Sequence, residues 1–375
     1  MRSPTSRQIA LQALTEIETG SRANVVLASF LGDQGRGLSK RDRAFVTELV
    51  QGTTRMRRAV DHLLQPFVTR KLDPDVLAAL RMGAYQLYHL RTPPHAAVND
   101  TVAAVPRRAS GLVNAVLRKV ADVDPDWPDE ATQFSYPNWI WDLFLETWGS
   151  EGRASLIAMN TPERPLPRSD GYIQGQASRW VSEAVDEASP NGGTIVDLCA
   201  APGGKATGCG PAWSRIWANE IDPTRAGLLR EVVENYRPEI QVVVSDGTNS
   251  GFDSCFADAV LVDAPCSGLG ALGRRSDARW QISQEAIDRL TDTQDALLEE
   301  AVRLLRPGGA LTYSVCTITQ KETLEVAQAF DERHQEFISL DLHGKHWRQH
   351  RNGGLVLPHD YQTDGMAIFQ WQREH

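Results

Sequence analysis

The chain has 375 residues, 41% hydrophobic and 23% charged, with a net charge of −9 at neutral pH. That length leaves chain for a buried core in each of two domains, and no apolar run approaches the roughly 18 residues that span a bilayer, so a membrane protein is not expected. Five cysteines without a C-x-x-C pair fit neither a disulfide framework nor a structural zinc site, which leaves free thiols, packed or reactive.

Charge divides along the chain. Residues 1–120 hold 18 Lys and Arg against 9 Asp and Glu, a balance of +9, whereas residues 121–375 hold 21 against 39, a balance of −18. A basic module joined to an acidic one suggests a polyanion held by the first and processed by the second, the other reading being a plain solvated helical surface. Arg2, Arg7, Glu16 and Glu18 interrupt the apolar residues of the N-terminus, so no signal peptide is read there and a cytoplasmic location is expected.

From residue 6 to about 120 the apolar positions recur with helical period, as in Val76, Leu77, Leu80, Ala84, Leu87 and Tyr88. Ser39 and Asp42 form an S-x-x-D start signal, and Asp73 before Pro74 suits an N-cap followed by proline. The acidic stretch Asp122–Glu130, with Pro125 and Pro128, reads as a linker. From Thr194 short apolar runs alternate with helical stretches, which predicts an α/β domain with a mainly parallel sheet. The runs are Ile195–Cys199, Ile216–Asn219, Val242–Val244, Ala259–Val262 and Ala310–Val315, and Asp197, Glu220, Asp246, Asp263 and Cys316 stand at or just past their ends. Ligands of open α/β sheets sit outside the carboxyl ends of the strands, so the series points to one crevice.

The turn after the first run, Cys199-Ala200-Ala201-Pro202-Gly203-Gly204-Lys205, is neither G-x-G-x-x-G nor a phosphate loop, so dinucleotides and triphosphates are not expected. Glu220 is placed to bond ribose hydroxyls and Asp246 to reach an adenine amino group, which fits an adenosine lacking a phosphate chain. S-adenosylmethionine best matches that description. Cys266, in Asp263-Ala264-Pro265-Cys266-Ser267-Gly268, and Cys316, in Tyr313-Ser314-Val315-Cys316-Thr317, stand at neighbouring strand ends beside Asp263. Carbon 5 of cytosine accepts a methyl group only after a thiolate adds to carbon 6, and a second thiolate can then serve as the base for elimination, with an aspartate at the ring nitrogen.

These three motifs, with Arg274-Arg275 and Trp280, resemble the RsmB/NOP class of RNA cytosine-5 methyltransferases. Asp42-Arg43-Ala44-Phe45-Val46, Tyr85-Gln86-Leu87, Arg91 to Asn99 and Val113 to Arg118 resemble the NusB-type helical RNA-binding domain. The resemblance covers most of the chain. It implies a NusB-like helical domain at 1–121, a linker and short connector at 122–170, and a Rossmann-like class I methyltransferase domain at 171–375. It further implies that Cys316 is the nucleophile and Cys266 assists release, and that Lys205 and Asp263 face the base. Cys199, Ala200, Ala201, Pro202, Gly203, Gly204, Lys205, Glu220, Asp246 and Asp263 would then bind S-adenosylmethionine. The expected substrate is RNA, 16S ribosomal RNA first, handled by a monomer without a metal or a membrane.

The chain departs from the class in three places. The usual ferredoxin-like RNA-binding subdomain has no room between Pro162–Asp170 and Gly171–Gln176, Lys321-Glu322-Thr323 stands where Asn is common, and Ser276 where proline is usual. Cys199, Cys209 and Cys255 are read as packed. Trp139, Trp141, Trp148 and Trp180 are read as packing, with base stacking the other use. Two other functions remain open: a DNA cytosine methyltransferase with Cys266 as nucleophile, and a non-catalytic RNA-binding or ribosome-assembly module on a methyltransferase scaffold.

Overall fold

The helical period over the first third of the chain produces α1 (Ser6–Glu18), α2 (Ala23–Asp33), α3 (Lys40–Arg55), α4 (Arg57–Leu64), α5 (Pro74–Tyr88), α6 (Pro94–Ala104) and α7 (Arg107–Val120). The computed structural model describes residues 4–162 and 164–375, the side chains of Asp33, Gln34 and Arg36 aside, so Arg2 of the N-terminal reading lies outside the described residues. Thr5 caps α1 in a reciprocal box with Gln8, and the Ser39 hydroxyl accepts from the Asp42 amide at the start of α3. Asp73 does occupy the N-cap of α5, but its carboxylate caps nothing; it accepts from Arg108 at 2.8 Å. Apolar stripes of these helices meet in one core around Ile9, Leu49, Val60, Leu80, Met82, Val113 and Leu117.

By packing, the chain forms two units: residues 1–146 with 275–281, and residues 147–274 with 282–375. The linker stretch forms no helix before Glu130, yet Val123 and Trp127 pack on the helical core. α8 (Glu130–Gln133) and α9 (Asn138–Ala158) follow, the latter interrupted at Gly149, whose φ of 54° is open to glycine. Within the first unit, Trp280 Nε1 donates to Thr54 O at 2.8 Å, Ser276 bonds Gln51, and buried Arg279 lies 4.0 Å over the Tyr136 ring. The serine that replaces a usual proline therefore has a hydroxyl contact of its own. Between α9 and α10 (Gln176–Ala188) the described residues form no element beyond a Pro167–Ile173 bridge.

The second unit is built on strands β1 (Gly193–Asp197), β2 (Trp213–Asn219), β3 (Gln241–Val243), β4 (Ala257–Asp263) and β5 (Leu305–Val315), parallel in the order β3-β2-β1-β4-β5. α11 (Gly204–Gly208), α12 (Pro223–Tyr236), α13 (Ala278–Gln281) and α14 (Gln284–Leu304) lie in the intervening chain, α13 with the first unit. Three strand ends differ from the sequence reading: the first strand stops at Asp197 instead of Cys199, the third at Val243 instead of Val244, and the fourth runs on to Asp263 instead of Val262. Beyond Asp197 the backbone turns out of the ladder, with Leu198 N bonding Leu261 O and Ala200 N bonding Asn219 O.

The sheet continues with strands that the periodicity did not reveal, β6 (Phe337–Ser339), β7 (Arg348–His350), β8 (Gly353–Val356) and β9 (Met366–Arg373). β9 runs antiparallel beside β5 and is followed by β8 and β7, with β6 also on β9; α15 (Val326–Arg333) and α16 (Pro358–Tyr361) complete the chain. Gln370 hides β9, because a buried strand should read as a continuous apolar run. Its amide is buried all the same and satisfied, donating to Ala184 O and Thr312 Oγ1 at 2.9 Å each.

Candidate active site

The carboxyl ends of β1, β2, β4 and β5 carry the reactive side chains. Asp197 closes β1, 1% exposed; its Oδ1 accepts from Cys199 N at 3.2 Å, while Oδ2 has no hydrogen-bond partner among the described residues. Burial, then the nearby Asp263 charge, raises its carboxyl from the ordinary range to about 7. A buried acceptor without a partner is costly and marks a place for a donor or a cation. The Cys199–Lys205 turn then closes tightly, Gly203 N on Ala200 O at 2.7 Å, with Gly203 at a φ of 108° that a side chain would strain. α11 follows and aims Lys205 back at the sheet.

At the end of β2, Glu220 is 2% exposed and accepts from Asp222 N at 3.0 Å and from Arg225, whose other nitrogen donates to Ala201 O at 2.9 Å. A carboxylate offers about four lone-pair sites, so these contacts leave capacity for hydroxyl donors. Asn219 ties the turns together, donating to Leu198 O and Ser245 O at 3.1 Å each. Asp246 stands apart from this tight set: it is exposed and folds onto its own turn, accepting from Thr248 N and Oγ1. A small-residue turn, a buried unpaired acceptor and a buried ribose-height acid fit an adenosyl group carrying positive charge.

β4 and β5 bring the cysteines together. Asp263 and Ser314 are register partners; Ser314 Oγ donates to Asp263 Oδ1 at 2.8 Å, and Lys205 Nζ to Asp263 Oδ2 at 2.7 Å. Just beyond, Cys266 Sγ and Cys316 Sγ lie 3.3 Å apart, both half-buried. Fifty residues of sequence separate these thiols, so their meeting is a product of the parallel pairing. Under them lies the fully buried Glu322, in a π-helical turn (Lys321–Glu325). Its carboxylate accepts from Ser267 N at 2.7 Å and Ser267 Oγ at 2.5 Å, and from Thr317 Oγ1 at 3.2 Å and Thr319 Oγ1 at 2.8 Å. Leaving even one such buried donor unsatisfied costs about 1–3 kcal/mol.

The other thiols differ. Burial pushes Cys199 and Cys209 up, away from the thiolate that nucleophilic attack requires. Cys255, read as packed, is instead exposed, in a turn before β4 at a φ of 54° where its amide donates to Arg303 O. Trp141 is buried and stacked on Phe134, and Trp148 donates to Ile318 O. One H-x-x-H spacing escaped the sequence reading, His343 with His346; His346 stacks on Trp180 at 4.1 Å, and no group of three metal-ligating side chains occurs among the described residues. Asn219, Ser314 and Glu322 were missed as functional residues, and the polar type of each at a strand end or beside a cysteine was the available signal.

Residues 187–372 match the family described as 16S rRNA methyltransferase RsmB/F, and residues 4–122 match the NusB family. The chain is 32% identical over 367 residues to ribosomal RNA small subunit methyltransferase B of Thermus thermophilus, covering 90% of each chain. It is 28% identical over 397 residues to the protein of that name from Sodalis glossinidius, covering 88% of this chain and 90% of that one. Among solved structures, the crystal structure of PH0851 superposes with a TM-score of 0.80 over 99% of this chain and 100% of that one, at 20% identity, a likeness of fold.

Proposed function

The chain belongs to the RsmB/F family of S-adenosylmethionine-dependent RNA cytosine-5 methyltransferases, and from that premise we propose that it methylates a cytosine of 16S ribosomal RNA through a covalent bond from Cys316. The Cys316 thiolate adds to carbon 6, and the ring nitrogen that gains electron density takes up a proton passed through Asp263, with Lys205, which donates to that carboxylate, as its source and Ser314 holding the aspartate in place. S-adenosylmethionine supplies the electrophilic methyl group taken by carbon 5, held by the Cys199–Lys205 turn, Glu220, Asp246, Asp263 and Asp197. Cys266 then removes the proton from carbon 5; the C5–C6 double bond re-forms and the Cys316 sulfur leaves. The observation that carries this reading is the 3.3 Å approach of two thiols beside an aspartate already paired with a lysine.

Residues 1–121, net basic, are assigned to holding RNA, residues 122–170 to connection and residues 171–375 to catalysis, in a cytoplasmic monomer. Among the described residues no helix is long and apolar enough to cross a membrane. Bisulfite sequencing of ribosomal RNA from a deletion strain and its parent tests the reading. One 16S cytosine should lose protection in the deletion strain, and identical profiles would refute the assignment.

Glu220→Ala should weaken S-adenosylmethionine binding by about 1.5–3 kcal/mol, roughly 10- to 150-fold in Kd, with little change in RNA affinity. Calorimetry measures both; an unchanged cofactor Kd would leave Glu220 as a buttress for Arg225 and α12.

Asp197 gives the binding a pH dependence. Because its carboxyl is raised to about 7, the free folded protein keeps the proton to neutrality whereas the unfolded chain loses it near 4, so the group costs stability increasingly as pH rises from 4 to 7. A cationic ligand favours the ionised form and expels the proton. Affinity for S-adenosylmethionine should therefore rise by up to about tenfold per unit through pH 6–7 and level off above. The slope should vanish in Asp197→Asn and be shallower for S-adenosylhomocysteine, which lacks the sulfonium. A flat wild-type profile would remove Asp197 from the cation's surroundings.

A further inference from the structure

The Glu322 carboxylate bonds the residue that follows each of the two thiols. One oxygen accepts from Ser267 N, next to Cys266; the other accepts from the hydroxyls of Ser267, of Thr317, next to Cys316, and of Thr319. Ser267 Oγ and Thr317 Oγ1 lie 3.0 Å apart, so the two loops converge on one acceptor. Gln294 extends it, its amide nitrogen donating to Pro265 O at 3.0 Å, immediately before Cys266.

The carboxylate is itself pinned. Its backbone carbonyl accepts from the buried Tyr313 hydroxyl on β5 at 2.8 Å, and the π-helical turn opens with a Glu325 N to Gln320 O bond that spans five residues. A π-helical turn is a rare local geometry that places a side chain where an α-helical turn would not, and such turns concentrate at functional sites. For packing alone an apolar side chain would serve this fully buried position at lower cost than a carboxylate. What an apolar residue cannot do is hold two separate loops to one point by directed acceptors.

We propose that Glu322 is a positioning residue that sets the distance between the Cys266 and Cys316 thiols by clamping the loop after each cysteine to a single buried carboxylate. The consequence for catalysis rests on the two-cysteine reading above; the geometric statement does not. A displacement of about 1 Å at a reacting centre costs on the order of 100-fold in rate, so loosening the clamp slows any reaction that needs both sulfurs together.

The test uses thiol coupling as a ruler. In the full-length protein, diamide takes up two electrons and two protons as the two thiols become one disulfide, and peptide mapping quantifies the Cys266–Cys316 link. Wild-type protein should couple rapidly. Glu322→Gln, which turns one acceptor into a donor facing donors, should couple at least about tenfold more slowly and lose a similar factor in kcat for methyl transfer, with Kd for S-adenosylmethionine and KM for RNA unchanged. Ser267→Ala, a milder change on one loop, should slow coupling by a smaller factor and serves if Glu322→Gln does not fold. Coupling at the wild-type rate in a folded Glu322→Gln, or in Ser267→Ala if that is the variant that folds, overturns the proposal. Slowed coupling in a protein whose wild type transfers no methyl group would uphold the clamp and refute the proposed reaction instead.

Discussion

Cys316→Ala is expected to abolish methyl transfer, by about 1,000-fold or more, while leaving S-adenosylmethionine affinity within about twofold of wild type. The asymmetry follows from where the sulfur sits. Cys316 follows β5, at the thiol pair, whereas the turn, Glu220 and Asp246 follow β1, β2 and β3 on the other side of β4, and only Asp263, at the end of β4, stands beside both groups. Carbon 5 of an aromatic cytosine is a poor nucleophile, and the saturation of carbon 6 by a thiolate is what makes it enamine-like. No neighbouring group replaces that function, since burial holds Cys199 away from the thiolate form and Cys266 has the other task. Tritium transfer from the labelled cofactor and calorimetry on one preparation decide it. Substantial turnover by the variant would end the nucleophile assignment.

The parallel part of the sheet was legible because β1, β4 and the second half of β5 are buried on both faces and its strands appear as short apolar runs followed by an acid or a cysteine. The four later strands were not. Gln370 and Gln372 break the run in β9, Gly353 and Gly354 give β8 no pattern, and β6 and β7 are three residues each. The site divides similarly. Residues assigned here to ligand or base, such as Lys205, Asp263, Cys266 and Cys316, lie within recognisable motifs, and strand pairing brings them together. Residues that act on those residues are distant in sequence from what they hold: Ser314 reaches Asp263 across a register pair, and Glu322 reaches Ser267 over 55 residues. Such partners follow from topology, which a one-dimensional reading does not contain. Asp246 shows the converse, a residue at the expected strand end whose side chain is turned to Thr248, so the adenine contact expected of it would require a local rearrangement.

Cys266→Ala separates the two thiols by what accumulates. With Cys316 still able to attack carbon 6 and the methyl group still deliverable, loss of the base leaves the proton on carbon 5 of the methylated adduct, and elimination stalls. The enzyme should therefore remain covalently attached to RNA. A denaturing gel should show a protein–RNA band that requires S-adenosylmethionine, appears with Cys266→Ala, and disappears when Cys316 is replaced as well. Packing does not confound the comparison strongly, because Cys266 is half-buried and its loop is also held through Ser267 and Pro265. If Cys266 were the nucleophile, as in the DNA-type reading, its removal would prevent the adduct and Cys316→Ala would trap it instead. The close Sγ–Sγ approach is the same in both cases, so the identity of the trapped variant, and not the geometry, assigns attack to one sulfur and release to the other.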